Sequence, residues 1–393
     1  MIKYFKKLYI YKFLIFFIYN ILKPILANSK RTLYFEFKKL NVLKSIKEIN
    51  LDFEILGDYL ITTDKGIFRA CKNTITKISS LNTFGITIFD HHIYVTSSVG
   101  EKTFILKEKL ENILQRNFHF WDEIYSVNIS SEAGRFHQIG NYDKNIWIAN
   151  TAQNLITKIN NKGEWLGNLG PFFCSYGHPI NIDHNHINSV FATKNYLIFT
   201  AFKANKNSVI GLIGSGKILL FKYKNMGVHD CMVDGEKFIF CDSFRFWDNV
   251  HHGNLMCGKL KIDEKFLIDN DSNCLRGVAS FNGEFLVGSS NYGDRKRRYQ
   301  NSGNVLFGKK NKFFKAIKIG ASQINDILRV DGYKNDNQIS ENKKFFEIKA
   351  ILKRIFGKPI ETLNIEDCMI GQNAKKFDES DGGDFLEYLD NKT

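Results

Sequence analysis

Proline is nearly missing from this 393-residue chain, with four in all, while phenylalanine reaches 35 and Lys, Asn and Ile abound. That balance looks like AT-rich coding bias, so the number of lysines says little about function. A formal net charge of +14 would otherwise bring nucleic acid or an anionic membrane forward as partners. The lysines are scattered singly through turns, as on a solvated surface, and no specific nucleic-acid partner is expected. No CxxC pair occurs among the seven cysteines, and seven is odd, which excludes a zinc ribbon and a complete disulfide framework. Several, such as Cys241 in FIFCDS, sit in apolar strand-like runs where a free thiol acts as a small core residue, as in a reducing compartment.

A long apolar run is lacking too. The N-terminal stretch Phe13 to Leu22 has ten residues with one asparagine among them, against about 20 for a spanning helix. Residues 1–30 read instead as a hydrophobic, basic helix lying in a membrane interface, with Lys6, Lys7, Lys12 and Lys23 reaching phosphates. The alternatives are a signal or signal-anchor, opposed by Lys23 and the bulky Ile25 ahead of Asn28, and a helix packed on its own domain. The expected location is the cytoplasm at the inner face of a membrane, with secretion or a periplasm as the alternative. No G-x-S-x-G elbow, H-E-x-x-H helix or thiol-protease signature occurs. GLIGSG, Gly211 to Gly216, lacks the Lys-Ser/Thr of a P-loop and runs into the strand-like KILLF, so it reads as a turn.

What the chain does have is a repeat. LITTD, IYVTS, IWIAN, LIFTA, FIFCD and FLVGS, ending at Asp64, Ser97, Asn150, Ala201, Asp242 and Ser289, are short β-runs that close on a small or polar residue. Their ends lie 33, 53, 51, 41 and 47 residues apart, the size of a four-stranded propeller blade with loop insertions. With no 3.6-residue period between about 50 and 330, a βα alternation is excluded. The expectation is an all-β fold, a six-bladed β-propeller spanning 31–332, closed by the Ile317 to Val330 strand, which completes a blade begun at the other chain end. Beyond it, 333–393 reads as a polar linker, an amphipathic helix ended by Gly357 and Pro359, and an acidic tail.

Thirteen residues before each strand end stands a residue expected at one mouth of the central channel: Phe84, His137, Asn188 with His186 nearby, His229 and Arg276. On the closing strand the counterparts are Gln323 or Asn325. His137, His186 and His229 come from successive blades, which is how a propeller would assemble three imidazoles around a divalent transition metal such as Zn, Fe or Mn. Asp183 and Asp230 are placed to orient those rings. His229, Asp230 and Arg276 are the candidate catalytic residues, and Arg276, Asn188, Gln323 and Asn325 the candidate ligand-binding ones. A guanidinium at the mouth, with Arg295, Arg297 and Arg298 on a nearby loop, suits a carboxylate or phosphate. His91 with His92 and His251 with His252 read as surface histidines.

The segment from Phe136 to Gly167 resembles an NHL-type blade, whose strand is followed by a small polar turn; here that turn reads Asn150, Thr151, Ala152, Gln153, Asn154, Leu155, Ile156. Over roughly 50–330 the chain is similar to bacterial propeller proteins related to the NHL-repeat and gluconolactonase-like six-bladed group. The resemblance implies the fold and, by analogy with gluconolactonase-like and virginiamycin-lyase-like propellers, a hydrolase or lyase acting on a small anionic or sugar-like molecule. The gluconolactonase pattern would place acidic and amide calcium ligands in the channel, and three histidines depart from it. A non-catalytic recognition or scaffold propeller, reading a protein or glycan at a membrane, is the alternative.

Overall fold

The computed structural model describes residues 33–35, 48–99, 102–115, 120–128, 135–177, 183–202, 207–224, 227–235, 237–247, 250–258, 263–267, 273–291, 302–309, 312–331 and 343–370. The expected N-terminal helix over 1–30, the linker between 332 and 342, the acidic tail, and Arg295, Arg297 and Arg298 lie outside the described residues. So do the side chains of His251 and His252. Among the described residues no helix is long and apolar enough to cross a membrane.

Strands dominate because apolar residues recur in short runs cut by tight turns. Among the described residues four hairpins turn on two residues with positive φ, namely Asp90-His91, Asp143-Lys144, Ser215-Gly216 and Asn282-Gly283. This is the turn whose twist matches the flanking strands. The GLIGSG stretch is thereby one strand end, Ser208–Gly214, followed by its hairpin turn.

All the sheets are antiparallel, and together they make an all-β propeller. The innermost strands are Ile86–Phe89, Phe136–Tyr142, Ile187–Ala192, Val228–Asp234, Asn273–Phe281 and Ile324–Arg329, and each packs beside the next around a closed circuit. The expectation of a six-bladed propeller is corrected. Among the described residues five sheets have four or five strands and make five blades, and the remaining place is taken by a three-stranded sheet in which Ile324–Arg329 pairs with Glu48–Thr63, and that with Gly66–Ser79. The stretch read as one strand from Ile317 is divided: Lys312–Lys318 is the outer strand of the fifth blade, and Ile324–Arg329 alone joins the two chain ends. That junction is reinforced where Val330 N donates to Asp58 O at 2.7 Å and Asp58 N donates to the Asp331 carboxylate at 3.0 Å.

The core is distributed, one apolar cluster for each pair of facing sheets. Trp147, Ile156 and Leu169 meet Leu197, Phe199 and Val209 between the second and third blades, and Tyr59, Ile61 and Phe68 meet Leu286, Val305 and Phe307 at the three-stranded sheet. The helix Phe345–Phe356 buries Ile348, Ile351 and Leu352 against the third and fourth blades. The chain then adds Glu361–Asn364 to the outer edge of the third blade and Met369–Ile370 to that of the second, covering strand edges that would otherwise stand open.

Candidate functional site

Five inner strands carry a bulge at the same level. One extra residue enters between Phe136 and Ile139, at Asn188, at Asp230, at Gly277 and at Asn325. A regular strand turns alternate side chains to opposite faces, so only every second residue would reach the axis. The bulge breaks that alternation and aims neighbours together. His137 with Gln138, and His229 with Asp230, thus line one small cavity beside Phe84, Asn188, Arg276 and Asn325. Asp230 and Gly277 adopt φ of 36° and 70° there; at Gly277 a Cβ would stand 2.9 Å from the carbonyl carbon of Asp326, so glycine is required.

The partners of each imidazole fix its tautomer. Thr151 Oγ1 is 2.5 Å from the carbonyl of Ile187, which can only accept, so the hydroxyl proton points there. The same oxygen lies 2.9 Å from His137 Nδ1, which must therefore donate, leaving the lone pair of neutral His137 on Nε2. His186 Nδ1 is 2.9 Å from the Asp183 carboxylate and donates likewise. His229 is the opposite case. Asn188 Nδ2 donates to Val228 O at 3.2 Å and lies 2.8 Å from His229 Nδ1, which must accept, so neutral His229 carries its proton on Nε2. Thr200 Oγ1 donates to Asn188 Oδ1 at 2.7 Å and holds that amide. Burial, then the nearness of His186, Arg276 and Arg135, holds His137 well below the usual histidine range.

The three rings do come together, His137 to His186 at 5.4 Å and His186 to His229 at 6.4 Å between centroids, with Phe202 against both His186 and His229. Among the described residues no group of three or more His, Cys, Asp or Glu is disposed to hold a metal ion, and His229 Nδ1 is already taken by Asn188. The backbone N of Gln323 donates to Asp64 at 2.9 Å, and Asn325 is the closing strand's contribution to the cavity. Asn325 Nδ2 donates to Thr83 O at 2.7 Å, whereas its Oδ1 is buried with no hydrogen-bond partner. Arg276 Nε is buried and unpaired in the same cavity, which measures about 20 Å³.

Beneath this cavity lies a layer that the sequence reading missed. Gln138 Oε1 accepts from Val190 N at 3.2 Å, which orients its amide nitrogen toward two carboxylates. That nitrogen donates to Asp326 at 2.9 Å and to Asp230 in a short contact. Gly277 N donates to Asp230 at 2.7 Å, while Ile86 N and Ile327 N donate to Asp326 at 3.2 and 2.8 Å. All six inner strands are tied into one hydrogen-bonded layer across the axis. Burial is the main cause raising both carboxyls, Asp230 up to about 7 against the pull of Gly277 and Arg276, and Asp326 further through the charge of Asp230. The signal was present as consecutive polar residues, HQ and HD, in strands whose alternation allows only one.

No family model matches the sequence, and no curated protein matches it. Solved structures similar to it include a nidogen/laminin complex (12% identity, 69% of this chain and 97% of that one, TM-score 0.45). A putative 6-phosphogluconolactonase from Bacteroides uniformis is also similar (12%, 70% and 99%, TM-score 0.44), as is a luciferin-regenerating enzyme (10%, 70% and 82%, TM-score 0.43). At these values the likenesses assign no activity to the chain.

Proposed function

We propose that the protein binds a small anionic or sugar-like molecule at this channel mouth, where Arg276 anchors an oxygen of the ligand and His137 acts as a base in a hydrolase- or lyase-type reaction. The observation that carries the reading is the pair Arg276 Nε and Asn325 Oδ1, one donor and one acceptor, both buried without partners at a cavity that His137 also lines. A hydroxyl or an attacking water satisfies both at once, accepting from the guanidinium and donating to the amide oxygen. A neutral imidazole with its lone pair on Nε2 is the form that takes up a proton. Asp230 then tunes the Arg276 charge from below, and Asn188 fixes His229 as a donor. A bound Zn, Fe or Mn ion is not needed for this chemistry, and His229 would have to release Asn188 to ligate one through Nδ1.

The cavity volume favours a second reading, a recognition propeller without turnover. About 20 Å³ holds one oxygen-sized group, so most of any ligand would lie outside the cavity. The test is calorimetry and thermal unfolding of the full chain with gluconate, gluconolactone and glycerol phosphate, beside Arg276→Gln and His137→Ala. Binding that weakens at least tenfold in Arg276→Gln, with turnover lost in His137→Ala, is the expected result. Binding without turnover moves the assignment to recognition, and binding that survives in Arg276→Gln overturns the site.

A further inference from the structure

The channel has a second compartment on the far side of the Gln138 layer, larger than the mouth by a wide margin. Its volume is about 160 Å³, and its belt is apolar, with Ile139, Val190, Val278 and Ile327 facing inward. Its inner end is formed by Asp230, Asp326 and Gln138, of which Asp230 and Gln138 also line the mouth. Since about 10–15 Å³ measured this way accommodates one water, the compartment has room for a small organic molecule.

Charge decides what kind. Two carboxylates share one neutral amide, and Arg276, above the layer, is the cation that acts on Asp230. Arg329 lies at the outer rim of the compartment, where its guanidinium rests on the Phe281 ring at 3.4 Å and faces Asp331 at 3.6 Å. Ser280, beside it, donates to Asp234. Arg329 thus faces two rim carboxylates, Asp331 and Asp234, so the rim supplies no surplus cation, and one negative charge at the inner end is left over.

The acceptor count agrees. A carboxylate offers about four lone-pair sites. Asp230 receives donors from Gln138 and Gly277, and Asp326 from Gln138, Ile86 and Ile327, so both retain acceptor capacity, and both residues line the compartment. We propose that this compartment is a binding site for a small primary alkylammonium compound, its charged head on Asp230 and Asp326 and its hydrocarbon body in the belt of Ile139, Val190, Val278 and Ile327. The layer's surplus charge is met either by a proton or by the ammonium group, so the two compete. This assignment is independent of the chemistry proposed for the opposite mouth.

The probe is n-butylammonium chloride, with 1-butanol as the uncharged control, titrated calorimetrically into the full chain. Saturable binding of butylammonium alone is expected, with release of a proton seen as a dependence of the heat on buffer ionisation enthalpy. Affinity should rise about tenfold per pH unit on the acid side of the carboxyl titration. Asp326→Asn, which keeps the side-chain shape, should weaken binding at least tenfold, while His137→Ala at the mouth leaves it unchanged. Equal binding of 1-butanol, no saturation at millimolar butylammonium, or binding without proton release in the unaltered protein would each overturn the proposal, whether or not Asp326→Asn folds.

Discussion

Replacing Asp230 by Asn should convert a pH-dependent protein into a flatter one, and the sign follows from the direction of the shift. Burial holds the Asp230 carboxyl up at about 7 against an ordinary 3.8, so between those values the folded state keeps a proton that the unfolded chain has released. Stability then falls as pH rises through this window, because the native state binds more protons. A shift of about three units at about 1.4 kcal/mol each puts the loss between pH 4 and 7 at about 4 kcal/mol from this group alone. Asp326 adds to it in the same direction, since burial and the charge of Asp230 raise it too. His137 works the other way. Its depressed pKa means that only the unfolded chain takes up that proton below about pH 6.5, which favours the native state as pH rises to that value. The wild-type curve is the sum of these opposed slopes. The difference between wild type and Asp230→Asn, from urea unfolding at half-unit steps from pH 4.5 to 8, isolates the carboxyl pair. The variant should gain steadily on the wild type as pH rises, by several kcal/mol across the range, on top of a constant cost for the hydrogen bond that Asn cannot accept from both Gln138 and Gly277. A difference that is flat, or that shrinks with pH, would refute the buried protonated layer.

Other consequences are more local. Gly277→Ala forces a Cβ against the Asp326 backbone at a positive φ, and should cost on the order of 1–3 kcal/mol in chemical denaturation. Arg69→Ala strips the bidentate partner, at 2.9 and 2.8 Å, from the nearly fully buried Asp58, and should cost about 3 kcal/mol, less after a second change Asp58→Asn. Ile351→Ala opens a hole where the C-terminal helix packs on the third and fourth blades, and should cost about 2–5 kcal/mol by urea unfolding if that helix melts with the propeller. A lower-temperature transition affecting the helix alone would show that it docks as a separate unit.

The repeat made the channel legible because strand ends in a propeller fall at a common level. Counting back from Asn150, Ala201, Asp242 and Ser289 reaches Phe136, Ile187, Val228 and Leu275 as ladder partners, so the residues that follow them, His137, Asn188, His229 and Arg276, are equivalent in space as they are in sequence. What sequence periodicity hides is the bulge. Strict alternation sends Gln138, Asp230 and Asp326 away from the axis or leaves them as supports, whereas the bulges make them its floor. The ring nitrogens were hidden for a related reason: equal placement of three imidazoles does not specify them, and Thr151 and Asp183 leave Nδ1 a donor on His137 and His186 whereas Asn188 makes it an acceptor on His229. Thr151 was visible in the polar turn after Asn150, but nothing in a linear motif says that its hydroxyl spans to the carbonyl of the next blade. The closing sheet was legible in kind and not in size, since a repeat that counts one run from each blade does not say how many strands stand beside it.

The strand that joins the two chain ends also sets an order of events during synthesis. Glu48–Thr63 is made early, yet its partner Ile324–Arg329 leaves the ribosome only after every other blade. Until then the nascent molecule is an open arc with one bare strand edge near its beginning, and an unpaired edge is a template for a strand of another chain. A chain that stops short of Ile324 would keep that edge, so the six residues of a single late strand separate a monomer that can seal itself from one that must find a neighbour.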